Sequence, residues 1–291
     1  MRKRQSSTRS REASGARGTS LPPARRRFGQ NFLTSPGAIA RIVEALDPAE
    51  SEPVGEIGPG RGALTDALLA RVPHLDAIEL DRDLAAFLRQ RHPESRLRVI
   101  EGDVLEVPLG SIGPGPLVVV GNLPYNISKP FAMKLVTERA RVARAVLMFQ
   151  REVASRLTAR PATSAYGPLT VLAGRAYAIT RLFDLPPGAF RPPPEVTSTV
   201  TCWRRRPPED LPDEIEAPLR EVLHAAFGRR RQTILRNLRD ALPGGDEQAG
   251  ALLHAAGIDG RLRAEAVGPE AFVALARVWP GRARQDSPPP V

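Results

Sequence analysis

Four consecutive residues, Asn122-Leu123-Pro124-Tyr125, have the types needed to handle an aromatic amine. The exocyclic amine of adenine is a poor nucleophile, because its lone pair is delocalised into the ring. The amide oxygen of Asn122 and a backbone carbonyl beside it can accept both N–H groups of such an amine. That draws the nitrogen toward tetrahedral geometry and localises the lone pair as attack begins. Pro124 removes a competing N–H and stiffens the loop. Tyr125 offers a face on which a flipped base can stack. Asn122, Leu123 and Tyr125 are therefore candidate catalytic residues for methylation of an amine. A plain strand-to-helix turn is the alternative reading of the same tetrapeptide, since Asn and Pro are common there.

A second set of residues could hold a methyl donor. Gly58-Pro59-Gly60-Arg61-Gly62 is a glycine loop, and Glu79 follows Gly58 by 21 residues. In dinucleotide folds glycines admit the ligand close to the backbone, and an acid at this distance binds the ribose hydroxyls. Here the spacing is G-x-G-x-G with a proline inside it. That disfavours a pyrophosphate cradle and favours a ligand without phosphates, such as S-adenosylmethionine. Asp103, in Glu101-Gly102-Asp103, could accept a bond from the cofactor's adenine amine; otherwise it is a surface turn acid.

These residues need a sheet to bring them together. Apolar runs predict strands at 53–57, 75–79, 97–100, 117–120 and 144–149, with two more at about 174–183 and 196–203. Ser35-Pro36 starts a helix over about 36–46, carrying Ile39, Ile42, Val43 and Leu46 at helical spacing. Further helices start at Ala63 and run through Val153, Arg156 and Leu157. Strands alternating with helices imply an α/β, doubly wound, mostly parallel sheet. The carboxyl ends of such strands bind ligands, and the glycine loop, Glu79, Asp103 and Asn122 all fall there.

Between the last two strands, prolines keep residues 185–194 extended and stiff. Phe190 lies in this loop, either closing the second side of a base pocket or plugging the core. A linker is expected at Arg204-Arg205-Arg206-Pro207-Pro208, and the pattern beyond it is helical only. There Arg229, Arg230, Arg231 and Arg236 cluster on an expected helical frame, as in an RNA phosphate-binding helix, or as on a solvated one.

Charge is concentrated at one end. Nine basic residues in positions 1–27 oppose a single acid, Glu12, so this stretch carries +8 of the net +10. Residues 1–24 are expected to be a disordered basic leader that binds nucleic acid, or a solvated tail. An Arg- and Ser-rich transit peptide also fits, though the stretch lacks an apolar helical face. The tail at 281–291 is Pro-rich and expected to be disordered. One cysteine, Cys202, leaves no disulfide framework and points to a reducing compartment. The four histidines have no ligand spacing, so no metal is expected. No apolar run approaches the ~18 residues of a membrane span.

Several blocks together resemble the ribosomal RNA adenine N6-dimethyltransferases: Phe28-Gly29-Gln30-Asn31-Phe32-Leu33, Glu56-Ile57-Gly58-Pro59-Gly60, Glu79-Leu80-Asp81-Arg82, Gly102-Asp103, Gly121 through Ser128, Tyr166-Gly167, and Phe190 before Pro192-Pro193-Pro194. The resemblance is to the bacterial branch that dimethylates two adjacent adenosines near the 3′ end of 16S rRNA, and it spans residues 25–279. It implies a class I methyltransferase fold over residues 25–205 with a seven-stranded, Rossmann-like sheet. A small all-α domain over 206–280 would bind RNA. It implies S-adenosylmethionine as cofactor, with Asn31, Leu33, Gly58, Gly60, Glu79, Asp103 and Asn122 around the cofactor or its methyl site. Tyr125 and Phe190 would sandwich the target adenine. The partner would be 16S rRNA in an immature small subunit, and the protein a cytoplasmic monomer. Two features depart from the pattern. Pro168 stands where a basic residue is frequent, and the leader is similar to those of resistance methyltransferases acting on 23S rRNA. A 23S enzyme, or a non-catalytic RNA-binding assembly factor, is the alternative.

Overall fold

The computed structural model describes residues 21–25 and 29–280. The expectations for the leader through residue 20, for Phe28 and for the tail at 281–291 lie outside these residues. In chain order the elements are β1 (Phe32–Leu33), α1 (Pro36–Leu46), β2 (Val54–Ile57), α2 (Ala63–Leu69), β3 (Leu75–Glu79), α3 (Arg82–Arg91), β4 (Leu97–Glu101), β5 (Leu117–Asn122), α4 (Ser128–Thr137), β6 (Val142–Gln150), α5 (Arg151–Leu157), α6 (Pro168–Ala176), β7 (Tyr177–Leu185), β8 (Phe190–Arg191) and β9 (Ser198–Arg205). Four helices follow, α7 (Asp213–Ala226), α8 (Ile234–Arg239), α9 (Gly245–Ala255) and α10 (Pro269–Val278).

Seven strands form one sheet in the order β4-β3-β2-β5-β6-β9-β7. All neighbours are parallel except β9, which runs antiparallel to β6 and β7. The chain winds outward from β2 through β3 to β4, then returns to place β5 on the other side of β2. That reversal opens a crevice beyond the carboxyl ends of β2 and β5, where such sheets take ligands.

Side-chain alternation sorts the sheet into two cores. Val118, Val120, Val146 and Met148 face α1, α2 and α3. Leu117, Val119, Ala145, Leu147 and Phe149 face the opposite way, onto α4, α5 and α6. The central strand β5 is apolar on both sides because both sides are covered. The second core continues without a break into α7, α8, α9 and α10 through Leu219, Leu223, Leu238 and Phe272. Helix α1 starts as its sequence directs: the Ser35 side chain accepts the Ala38 N–H, and Pro36 occupies the first turn.

Three expectations need correction. Strand β7 begins at Tyr177 and not near 174, because residues 168–176 form α6. Pro168 opens that helix, where its missing N–H costs nothing. The expected linker arginines Arg204 and Arg205 extend β9, with Arg204 opposite Arg144 and Ala178. The arginine cluster is not helical at its start: residues 227–233 are turns between α7 and α8. The buried Asn237 makes them compact by donating to the carbonyls of Ala226 and Arg229.

Tyr166 fastens the loop before α6 to the C-terminal helices. It is buried, its ring lies 6.2 Å from that of Phe227, and its hydroxyl donates to the Val267 carbonyl at 2.9 Å. Replacing Tyr166 by Phe keeps the ring and leaves that buried carbonyl unpaired. A loss of about 1–3 kcal/mol in chemical denaturation is expected, and unchanged stability would show that the bond contributes nothing.

Candidate active site

Glu79 ends β3, 5 % exposed, with its carboxylate between two loops. One oxygen accepts the Gly60 N–H at 3.0 Å and the other accepts the Asp81 N–H at 2.9 Å. Gly58 and Gly60 both have left-handed φ values, +66° and +59°. A Cβ on Gly60 would also meet the Phe32 ring at 2.9 Å. Glycine is thus required for the loop to turn its N–H toward Glu79 while Phe32 packs behind it.

Beside these groups lies a cavity of about 270 Å³. Gly58, Gly60, Glu79, Asp103, Asn122, Leu123, Tyr125 and Asn31 all line it, so most of the site residues expected from sequence converge on one space. Apolar walls come from Ile78, Leu80, Val104 and Ile127. Among the described residues no lysine or arginine lines it. One oxygen of Asp103 caps its own turn through the Leu105 N–H at 2.9 Å.

At the far wall, Asn122 closes β5. Its amide nitrogen donates to the Asn31 carbonyl at 2.8 Å. This engagement fixes the amide's orientation, and its oxygen has no hydrogen-bond partner among the described residues. The Pro124 carbonyl is already engaged by the Ile127 N–H at 3.2 Å. Among the described residues, the Leu123 carbonyl accepts no such bond. Asn122 Oδ1 and the Leu123 carbonyl are thus two acceptors in sequence, beside the Tyr125 ring.

Two expected residues stand elsewhere. Leu33 is buried and lines a smaller side cavity with Glu56, Gly58, Gly60 and Asn122. Phe190 is 1 % exposed and lines neither cavity. It pairs with Leu33 across β1 and β8 and belongs to the core against α1. The proline-rich loop delivers it inward because burying an aromatic ring there is strongly favourable.

The basic residues divide as well. Arg229, Arg230, Arg231 and Arg236 are all exposed. Arg229 pairs with Asp240. Arg230 donates to the Ser164 and Tyr166 carbonyls at 2.7 and 3.3 Å, so it clamps the loop that Tyr166 anchors. Arg231 and Arg236 make no side-chain ion pair with the described residues.

Sequence reasoning missed the outer rim. Composition predicts disorder through residue 24, yet Arg61 donates twice to the Pro22 carbonyl, at 3.1 and 2.7 Å. Arg25 pairs with Asp81 at 3.1 Å and with Asp83, and Gln30 donates to Asp81 at 3.0 Å. The acid after Glu79-Leu80, Asp81, therefore ties the foot of the leader to the Glu79 side of the site. No local pattern marks such a tether, because its partners are 56 residues apart.

A second buried acid sits on β2. Glu56 is 1 % exposed and accepts the Thr65 hydroxyl at 2.6 Å. Burial pushes its carboxyl up to about 8, against the Thr65 bond and helped by the charges of Glu79 and Asp66. Burial also raises Glu79, against its backbone N–H bonds. In the unfolded chain the Glu56 carboxyl ionises near its ordinary 4.5. Between that pH and about 8 the unfolded state releases a proton that the folded state keeps. Stability therefore falls as pH rises through this window, at up to about 1.4 kcal/mol per pH unit, and levels off above it. Glu56→Gln should flatten that fall when denaturation midpoints are compared at several pH values. A variant with the wild-type pH profile would show that Glu56 ionises normally.

Comparison with known proteins places this geometry. The family model for ribosomal RNA adenine dimethylase matches residues 23–278. Proteins called ribosomal RNA small subunit methyltransferase A are similar over most of their length. That of Aromatoleum aromaticum is 45 % identical over 87 % of this chain and 92 % of its own. That of Bordetella pertussis is 44 % identical over 87 % and 93 %. Among solved structures, a dimethyladenosine transferase from Plasmodium falciparum superposes with a TM-score of 0.75 at 25 % identity, covering 84 % of this chain and 95 % of that one. The 23S rRNA methyltransferase ErmE gives 0.64 at 27 %, covering 85 % and 98 %. With a family match across nearly all described residues and relatives 44–45 % identical over most of both chains, the chain belongs to the ribosomal RNA adenine dimethylase family.

Proposed function

We propose that this chain transfers methyl groups from S-adenosylmethionine to the N6 amine of two adjacent adenosines near the 3′ end of 16S rRNA, giving N6,N6-dimethyladenosine during small-subunit maturation. The observation that carries the chemistry is the fixed orientation of Asn122. Its nitrogen is held by the Asn31 carbonyl, so its oxygen and the Leu123 carbonyl are left to accept the two amine hydrogens. These bonds strengthen as the nitrogen becomes tetrahedral, so they belong to the transition state more than to the bound substrate. Tyr125 supplies the stacking face for the base.

The residues present fit the cofactor. The Glu79 carboxylate suits a ribose diol, Asp103 suits an adenine amine, and the described lining, which holds no basic residue, suits a ligand without phosphates. When bound, S-adenosylmethionine supplies an electrophilic methyl group on a sulfonium. Glu79 orients the donor, Asn122 and Leu123 hold the acceptor nitrogen, and the surrounding apolar side chains exclude water. Of the four clustered arginines, Arg231 and Arg236 are the ones left to meet rRNA phosphates, while the leader adds positive charge. We take the protein to act as a cytoplasmic monomer; no described helix is long and apolar enough to cross a membrane.

Two observations support the small-subunit branch: relatives bearing that name reach 45 % identity, and the dimethyladenosine transferase superposes better than the 23S enzyme, with a TM-score of 0.75 against 0.64. The test offers labelled S-adenosylmethionine with undermethylated small subunits, or with large subunits, and maps the label. Transfer to adjacent small-subunit adenosines is expected. Transfer only to 23S rRNA would replace the branch and keep the chemistry, and none to either would leave a non-catalytic RNA-binding factor. Asn122→Ala should lower turnover by about 10²–10³ with little change in rRNA affinity. Full turnover would remove Asn122 from the mechanism.

A further inference from the structure

Tyr125 is held at its far end. Its hydroxyl lies 2.9 Å from the hydroxyl of Ser198, and the two are hydrogen-bonded. Ser198 is 1 % exposed and is the first residue of β9. It sits in register between Gln150 of β6 and Leu185 of β7, so its backbone is fixed by two strands. The preceding residue adds to this, since the Thr197 carbonyl accepts the Arg151 N–H at 3.0 Å. The Ser198 hydroxyl has no other protein partner among the described residues.

Tyr125 itself begins a short turn, residues 125–127, that leads directly into α4 and is only partly buried. Its backbone is restrained by Pro124 on one side. Without a contact at the hydroxyl the ring would be free to rotate about χ1 and χ2 beside an open cavity. Stacking requires the ring plane to be parallel to the incoming base, and an aromatic held in that plane beforehand loses less freedom on binding.

We infer that Ser198 is a positioning residue for methyl transfer: it fixes the plane of the Tyr125 ring by bonding its hydroxyl, so that the target purine meets a preset stacking surface. The inference rests on the proposed base-stacking role of Tyr125. It extends the site to a strand remote in sequence, 73 residues away, that touches no substrate itself. Ring orientation acts after the rRNA has docked through its phosphates, so the effect falls on kcat and spares KM for the ribosomal particle.

The experiment measures steady-state methyl transfer on whichever ribosomal particle the wild-type chain modifies. It compares Ser198→Ala, Tyr125→Phe and the double variant, each with its melting temperature. Removing one neutral hydrogen bond predicts a fall in kcat of about three- to tenfold for either single variant. The double variant should fall no further, because both singles delete the same bond. A merely structural Ser198 would lower the melting temperature and leave Tyr125→Phe at full activity. Wild-type kcat in either single variant, or losses that multiply in the double, would overturn the inference. Absence of methyl transfer by the wild-type chain would instead refute the proposed function on which it rests.

Discussion

The carboxylate of Glu79 bridges the two loops that leave the paired strands β2 and β3. Its oxygens accept one N–H from the glycine loop after β2 and one from Asp81 at the start of α3. Both bonds demand particular neighbours. Gly60 must lack a Cβ so that the Phe32 ring can pack against it, and Asp81 must cap α3 through the Asp83 N–H. Asp81 then gathers Gln30 and Arg25, which brings the N-terminal segment over the crevice. That segment delivers the Asn31 carbonyl to Asn122. The wall built on Glu79 and the wall built on Asn122 are therefore linked through one short stretch of chain, residues 30–33.

Placing two acids here opposes stability. Glu56 and Glu79 lie on adjacent strands, both nearly inaccessible, and burial raises both. Each is only partly compensated, by one hydroxyl or by two backbone N–H groups. Strained or poorly solvated groups gather at functional sites because the surrounding structure holds them there. The two apolar cores on either side of the sheet supply that support, and the central β5 is buried on both faces up to Gly121.

Much of this arrangement was legible in the sequence, for definable reasons. Periodicity marks strands and helices, and ligand sites in open α/β sheets lie where loops leave the carboxyl ends. Gly58, Glu79, Asp103 and Asn122 could thus be brought together before any coordinates. What stayed hidden depends on contacts between distant residues. Phe190 on a proline-rich loop reads equally as a wall or a plug, and only the pairing of β1 with β8 turns it inward. Helix α6 was obscured because its apolar residues run directly into β7. Arg230 reads as a phosphate contact, but the loop it clamps lies more than sixty residues earlier. Ser198 carries no local signal at all, since a serine beginning a strand is ordinary.

The central claim is that this crevice is a methyl-donor site built on Glu79. Calorimetric titration tests it most directly, with S-adenosylmethionine and NADH offered separately to the wild-type chain and to Glu79→Gln. The wild-type chain should bind S-adenosylmethionine and not NADH. The variant should bind it more weakly by about 1.5–3 kcal/mol, the scale of a hydrogen bond to a charged group. Equal affinity in the two proteins, or binding of NADH alone, would contradict the account.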